Sequence, residues 1–431
     1  MVSQDRFLLW KKKRNSTYIV FLVLYFLMGL ELGCVNATLW IYVSTVVKPN
    51  NPELFYGLIV GCFFAPPILF SPVLSRFADK TRRVKLCLIS VIYLSIAGSI
   101  LYTIHTSPLF PLFGRFLSGF TMAVTPLMVS EVARSYPKEK VSQKLMMING
   151  SRLIGYACGP CISIFCFKTD FWIGSIHITY ANVIGPVLFV ICCIILVVVL
   201  IFTHDLSREY DMKAESMERK NIPSASAFST TKKIFQTKDT LLMIIICIFF
   251  GVMDQINFRI LPMIVITRLN FSYSVLNILL MGVAFANIAL VAFLLSWRIS
   301  NKEVYYTGII SLLSVILTSL LLLLLYYRVG HVTGWYVMLI ANLLCNVVFF
   351  LSDQTFAVIV CAKLAHSCNQ GFLEGVRLFS IQSGRVVGAI CIGMYYSHMK
   401  FFYPSTTALS IMLLTLLILR RKTLSNPVPV I

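Results

Sequence analysis

The segments INGSRLIGYACGP (148–160) and QSGRVVGAI (382–390) each place one arginine, Arg152 and Arg385, inside a long apolar run, with a glycine three residues on. At about 1.5 Å per residue, both lie roughly 14–15 Å from the inner ends of their helices, near the middle of a hydrocarbon core about 30 Å thick. A guanidinium there costs at least about 2.5–3.5 kcal/mol unless it faces protein or water. Such a group suits one of two tasks. It can neutralise a buried carboxylate and tie helices together, or it can draw an anion to mid-depth. Glu31 in GLELG and Asp254 in GVMDQ are the carboxylates within reach of the first task.

Both readings stay open on the residues alone. Arg115, Arg152, Arg259 and Arg385 outnumber Glu31, Asp254 and Asp353 within the apolar runs. A cavity shared by these residues therefore carries about one excess positive charge, which favours anion attraction through Arg152, Arg385 and Arg115. Glu31 and Asp254 are also candidates for proton coupling. Desolvation raises a buried carboxylate's pKa and a neighbouring arginine lowers it, so such a group can be poised between its two forms. A permanently ionised arginine partner is the competing role. Asn36, Gln255, Asn257, Gln382 and His398 add polar atoms that read as contacts between helices.

The elements that must position these groups follow from composition. The chain has 431 residues, 58% hydrophobic and 13% charged, where a soluble chain is about a quarter charged. The mean hydropathy is +0.84. These values fit an all-α integral membrane protein. Stretches long enough to span fall at roughly 17–47, 54–75, 86–104, 109–131, 142–166 and 180–203, then at 240–266, 273–297, 304–327, 334–360, 376–397 and 403–419.

The pattern predicts twelve transmembrane helices in two pseudo-symmetric six-helix bundles. It divides the chain into a cytosolic N-terminus (1–16), a first bundle (17–203), a cytosolic linker (204–239), a second bundle (240–419) and a cytosolic tail (420–431). Of the 37 Lys/Arg residues, 28 fall on the side assigned to the cytosol and five on the other, with four arginines inside spans. The positive-inside rule thus places both termini in the cytosol and explains the net charge of +20 without a nucleic-acid partner. The thirteen cysteines lie mostly inside the apolar runs, so they read as small buried fillers.

Arg152 and Arg385 occupy the fifth helix of each half, and Glu31 and Asp254 the first helix of each half. Duplicated halves with a central site are a common plan among secondary transporters. In the loop between spans two and three, SRFADKTRRVK (75–85) resembles the G-x-L-a-D-x-x-G-R-K pattern of the major facilitator superfamily. It keeps Asp79 and Arg83 but has Ser75 and Arg82 at the glycine positions. Glu131 and Arg134, spaced ExxR where span four ends, resemble the second element of that family's cytosolic gating latch. A local ion pair at a helix end is the other reading of those two. Arg115 and Gly119 in GRFLSGF match its RxxxG motif. Gly155, Gly159 and Pro160 form a GxxxGP like the one associated with antiporters, and small residues four apart let helices pack closely.

Within that superfamily the likeness is strongest to the lysosomal branch linked to neuronal ceroid lipofuscinosis. It rests on RFLSGF, on GxxxGP at the same interval, on Asp254 and on the SGR of 383–385. Arg152 departs from that branch's pattern. The resemblance implies an alternating-access secondary transporter of a small anion (chloride or an organic anion), possibly proton-coupled. It also implies a lysosomal or endosomal membrane more than the plasma membrane. The DxxLL form of DRFLL (5–9) has the shape of a sorting signal, and an apolar patch close to the membrane is the other reading. A channel-like anion conductor and a non-transporting scaffold on the same fold are the alternatives. No nucleophile–base pair, metal-spacing cluster or phosphate loop is visible, so the chain reads as neither an enzyme nor a cofactor or metal binder. The expected partners are a small anionic substrate, protons and the lipid bilayer.

Overall fold

The computed structural model describes residues 4–174, 176–210, 238–296, 303–327, 340–341, 343–345, 348 and 370–420. Most of the 204–239 linker, most of span 334–360 including Asp353, and nearly all of the tail lie outside the described residues. The chain divides into two compact units. Met1–Pro223 with Phe271–Ala284 form one, and Ser224–Asn270 with Phe285–Ile431 form the other.

In the first unit, helix α1 runs Gln4–Ile41 and continues as a π-helical turn, Tyr42–Val47. The basic KKKR segment is thus helical rather than a loose end, and α1 carries its first turns well beyond the apolar run. Helix α2 (Pro52–Thr81) starts with Pro at its first position, where the missing N–H costs nothing. Helix α3 covers Val84–Thr103.

Span four is three pieces, α4 (Leu109–Ser118), α5 (Phe120–Ala123) and α6 (Thr125–Ser135), interrupted at Gly119 and Val124. Pro126 explains the second interruption, because a proline cannot donate to the preceding turn. Helix α7 (Lys138–Phe165) carries Pro160 internally, and α8 spans Ile184–Phe202. A short helix, α9 (Leu206–Glu209), follows inside the segment assigned to the linker.

A β-hairpin between α7 and α8 departs from the all-α expectation. Strands β1 (Asp170–Ile173) and β2 (Ile176–Thr179) pair antiparallel, with Trp172 opposite His177. Gly174, at φ 59, supplies the left-handed residue that a tight hairpin turn requires. Every β1 residue is exposed, while in β2 Ile176 and Ile178 alternate with His177 and Thr179 and Ile178 is buried.

The second unit contains α10 (Lys238–Met263, with a π-helical extension Ile264–Arg268), the later part of α11 (Tyr273–Ser296), α12 (Glu303–Tyr327), α13 (Gln370–Ser397) and α14 (Met399–Leu419). The first turns of α11 belong to the first unit, where Tyr273 packs against Tyr180 at 5.5 Å between ring centroids. Among the described residues, eight helices are long and apolar enough to cross a membrane. The dominant pairings are α1 with α7, α3 with α8 and α4, α10 with α13, and α12 with α14.

Each unit has its own interior. Ile256, Ile260, Ile264, Leu322, Tyr395, Met399 and Tyr403 form a buried cluster joining α10, α12, α13 and α14. In lipid, helices gain little by hiding apolar surface from one another, so close packing and polar contacts set which faces meet.

Candidate functional site

Helices α1 and α7 touch backbone to backbone. A Cβ added at Gly155 would fall onto the Phe26 carbonyl oxygen, and one at Gly29 onto the carbonyl of Arg152. Gly33 and Gly159 face each other in the same way one turn further along. Cys34 Sγ then donates to the Gly159 carbonyl at 3.4 Å, and Ser151 Oγ to that of Leu22 at 2.5 Å. Only glycine permits this approach, and both helices supply a pair of glycines four residues apart. The α7 pair is the GxxxG of the antiporter-like motif. The matching pair on α1, Gly29 and Gly33, lies in GLELG on either side of Glu31. Its spacing was there to be read, though the acid between them drew the attention.

Because Gly29 and Gly33 occupy the face toward α7, Glu31 points to a different neighbour. Its Oε1 accepts a hydrogen bond and ion pair from Nη1 of Arg115 on α4, with both side chains buried. The Arg115 guanidinium also lies over the Phe63 ring of α2, 4.1 Å from its centroid. The carboxylate, guanidinium and aromatic face thus join α1, α4 and α2. Gly119, one turn beyond Arg115, meets α2 at the Phe63 carbonyl, where a Cβ would not fit. The RxxxG spacing therefore serves one helix contact with both of its ends.

The second unit repeats the plan with a different pairing. Gly251 of α10 abuts Ile381 of α13, Gly384 abuts Ile248, and Gly388 abuts Val252. Asp254 accepts from Nε of Arg385 at 2.9 Å, both side chains being buried. Gln255 Nε2 donates to the same carboxylate at 3.1 Å. Here the acid's partner comes from the helix that corresponds to α7, whereas Glu31 takes its partner from α4.

Arg152, the counterpart of Arg385, is half-buried. Arg259, one turn beyond Gln255, is buried. A buried pair of this kind is an uncertain contributor to net stability, but removing one partner strands a charge and costs about 3–5 kcal/mol.

The residues that resemble the family's latch pattern are arranged around a different centre. The Asp79 side chain lies outside the described residues. Arg83 is exposed at the N-terminal boundary of α3. Arg82 before it closes α2 in the left-handed conformation at φ 56, its N–H donating to the Ala78 carbonyl at 2.7 Å. That is the conformation glycine adopts most cheaply, so the glycine of the family pattern has a backbone reason, and this chain meets the same geometry with arginine.

Glu131 is fully buried. Its two oxygens accept from the Ser207 N–H at 2.8 Å and the Ser207 hydroxyl at 2.7 Å. It therefore fastens α6 to α9. Arg134 sits half-buried in the last turn of α6.

Segment 203–210 gathers further contacts from the rest of the unit. Asp205 Oδ1 accepts from Lys85 N at 2.8 Å, Lys13 pairs with Glu209 at 2.6 Å, and Trp10 Nε1 donates to the Leu206 carbonyl at 3.3 Å. Asp205 and Ser207 were not foreseen. Their signal was an acid followed by the short helical phrase LSRE, hidden by the polar character of the linker.

Among the described residues, no group of three or more His, Cys, Asp or Glu is arranged to hold a metal ion. The described cysteines carry free thiols.

Over 149 residues the chain is 24% identical to the tetracycline resistance protein, class H, of Pasteurella multocida, covering 34% of this chain and 37% of that one. Over 188 residues it is 30% identical to a multi-drug resistance efflux pump PmrA homolog of Lactococcus lactis, covering 42% and 44%. The matched segments thus span about two fifths of these relatives' lengths.

Among solved structures, the fold is shared with a D-xylose-proton symporter (TM-score 0.65, 12% identity, 96% of this chain and 98% of that one). It is also shared with a bacterial homolog of the human lysosomal transporter Spinster (TM-score 0.65, 11% identity, 96% of each chain). The family model described as Major Facilitator Superfamily matches residues 21–389. With most of its length matched, from α1 to α13, this chain belongs to the Major Facilitator Superfamily.

Proposed function

We propose that the chain is an alternating-access secondary transporter that moves a small anion, with proton coupling through Glu31 or Asp254. The observation that carries this reading is the repetition of a buried arginine–carboxylate pair in each unit, Arg115–Glu31 and Arg385–Asp254, on helices packed through glycines. Charges are kept in such surroundings when they have a task to perform. In the sequence Arg115, Arg152, Arg259 and Arg385 outnumber Glu31, Asp254 and Asp353 by one, and that excess favours an anion. In this proposal Arg152, the more exposed of the mid-helix arginines, meets the anion first. Arg385 and Arg115 receive it when their carboxylates take up protons.

The arrangement completes itself as twelve transmembrane helices in two six-helix bundles, 17–203 and 240–419, with cytosolic termini. Asp79, Arg83, Glu131 and Arg134 act as the cytosolic gate. The superfamily consists of transporters rather than enzymes, and its efflux relatives, together with Gly155-xxx-Gly159-Pro160, favour exchange of substrate against protons. For localisation we propose a lysosomal or endosomal membrane. In support, Leu8 and Leu9 of DRFLL are exposed on α1, and one neighbour in fold is titled as the homolog of a lysosomal transporter.

The deciding experiment is flux in proteoliposomes against a panel of anions, with and without a pH gradient. Anion uptake that follows the proton gradient and is lost in Arg152→Gln supports the proposal. Uptake indifferent to the proton gradient would identify an anion conductor instead. No uptake of any anion would leave a scaffold.

A further inference from the structure

Among the described side chains of the second unit, three amide oxygens are buried without a hydrogen-bond partner, and all three lie on the α10–α13 pair. They are Oε1 of Gln255, Oδ1 of Asn257 and Oε1 of Gln382. The residues are 5%, 1% and 3% exposed. Asn257 also leaves Nδ2 without a partner, so turning its amide over changes nothing. Gln255 cannot be turned over with profit, because its Nε2 already donates to Asp254.

These residues surround the Arg385–Asp254 pair in the sequence of each helix. Gln255 adjoins Asp254, Asn257 lies one turn beyond it, and Gln382 lies one turn before Arg385. At that spacing, Asn257 shares a side of its helix with Asp254, and Gln382 shares one with Arg385.

The first unit provides the comparison. There the amide of Asn36 on α1 is engaged, its Nδ2 donating to the Tyr156 hydroxyl of α7 at 2.9 Å. In the same unit Oδ1 of Asn277, in the first turns of α11, is buried without a partner, so what sets the α10–α13 amides apart is that they flank an ion pair. Buried polar groups are almost always satisfied, and unsatisfied ones mark a place where something else supplies the partner. An acceptor needs a donor. A halide has none, and a simple carboxylate has none once ionised. Ammonium donors are disfavoured by the excess of arginine over carboxylate in the helices. The hydroxyl group meets both requirements.

We infer that the substrate of this chain is a hydroxylated organic anion, whose carboxylate is drawn by arginine and whose hydroxyl donates to the amide oxygens of Asn257 and Gln382. The inference rests on the anion-transport reading above and narrows its substrate class. A site built to bond a hydroxyl discriminates strongly against the analogue that lacks it, because its own polar atoms are then left unpaired.

Lactate and propionate differ by that one hydroxyl, and chloride serves as a donor-free control. In proteoliposomes of the full chain, lactate uptake should exceed propionate uptake by at least about tenfold. Asn257→Leu and Gln382→Met should each bring the ratio toward one. Equal uptake of lactate and propionate by the unaltered protein overturns the inference while leaving anion transport standing. A preference that persists in both variants also overturns it. If neither variant reaches the membrane, the ratio in the unaltered protein decides the matter. Absence of flux for every anion overturns the transport reading and this inference with it.

Discussion

Arg385 donates through Nε to Oδ2 of Asp254 at 2.9 Å, one helix turn from the contact of Gly388 with Val252. A charge pair and a glycine seam thus hold α10 and α13 together. The pair can form because the seam brings the two backbones close, and the seam fixes which way both side chains leave their helices.

Breaking this pair should be costly in a lopsided way. Arg385→Leu or Asp254→Leu alone is expected to lower stability by about 3–5 kcal/mol, since each strands a buried charge. The double substitution should lose less than the sum of the two. Thermal unfolding of the four proteins in detergent gives the coupling directly, and additive losses would show that the charges do not interact.

The two glycine classes in α7 should respond oppositely to the same change. Gly155→Ala drives a methyl into the Phe26 carbonyl and should cost at least about 1–3 kcal/mol. A Cβ at Gly150 meets nothing within 4 Å, so Gly150→Ala should gain up to about 1 kcal/mol from helix propensity. Melting temperatures that move in the same direction would contradict the close α1–α7 contact.

Arg82→Gly should stabilise the turn between α2 and α3. The left-handed conformation at φ 56 costs a residue with a Cβ about 1–2 kcal/mol, part of which returns as unfolded-state entropy for glycine. A net gain below about 1 kcal/mol is expected in a detergent melt, and a clear loss would mean that the arginine side chain contributes more than its backbone costs.

Ser207→Ala removes one of the two donors that Glu131 accepts. The loss expected for a hydrogen bond to a carboxylate is about 1.5–3 kcal/mol, and α9 should become open to proteolysis. Limited digestion followed by mass spectrometry would locate the cut. An unchanged digestion pattern would argue that α9 is held by Trp10 and Lys13 rather than by Glu131.

Much of this arrangement was legible in the sequence, because charge is conspicuous in apolar runs. Glu31, Arg115, Asp254 and Arg385 could each be marked as needing a partner from composition alone. Which partner could not be read. Glu31 and Asp254 stand at corresponding places, yet one pairs with α4 and the other with α13, because the choice depends on the angle at which each side chain leaves a helix already committed to its glycine face. The hairpin at 170–179 was hard to read for another reason: Ile176 and Ile178 alternate with His177 and Thr179 over only four residues, and β1 has no buried face. Residues 204–210 fall within the expected linker because their binding power lies in Asp205 and Ser207, residues equally at home in a loop.

Helix α1 is one continuous rod of 38 residues, about 57 Å at 1.5 Å of rise per residue, or nearly twice the hydrocarbon thickness of about 30 Å. A rod of that length works as a lever. A pivot of about 5° near Ile41 swings Trp10 through roughly 4 Å, enough to draw its indole away from Leu206. The displacement grows along the rod, from about 1 Å at Gly33 to roughly 4 Å at Trp10, so the N-terminal end, where the Lys13–Glu209 and Trp10–Leu206 contacts lie, registers it most.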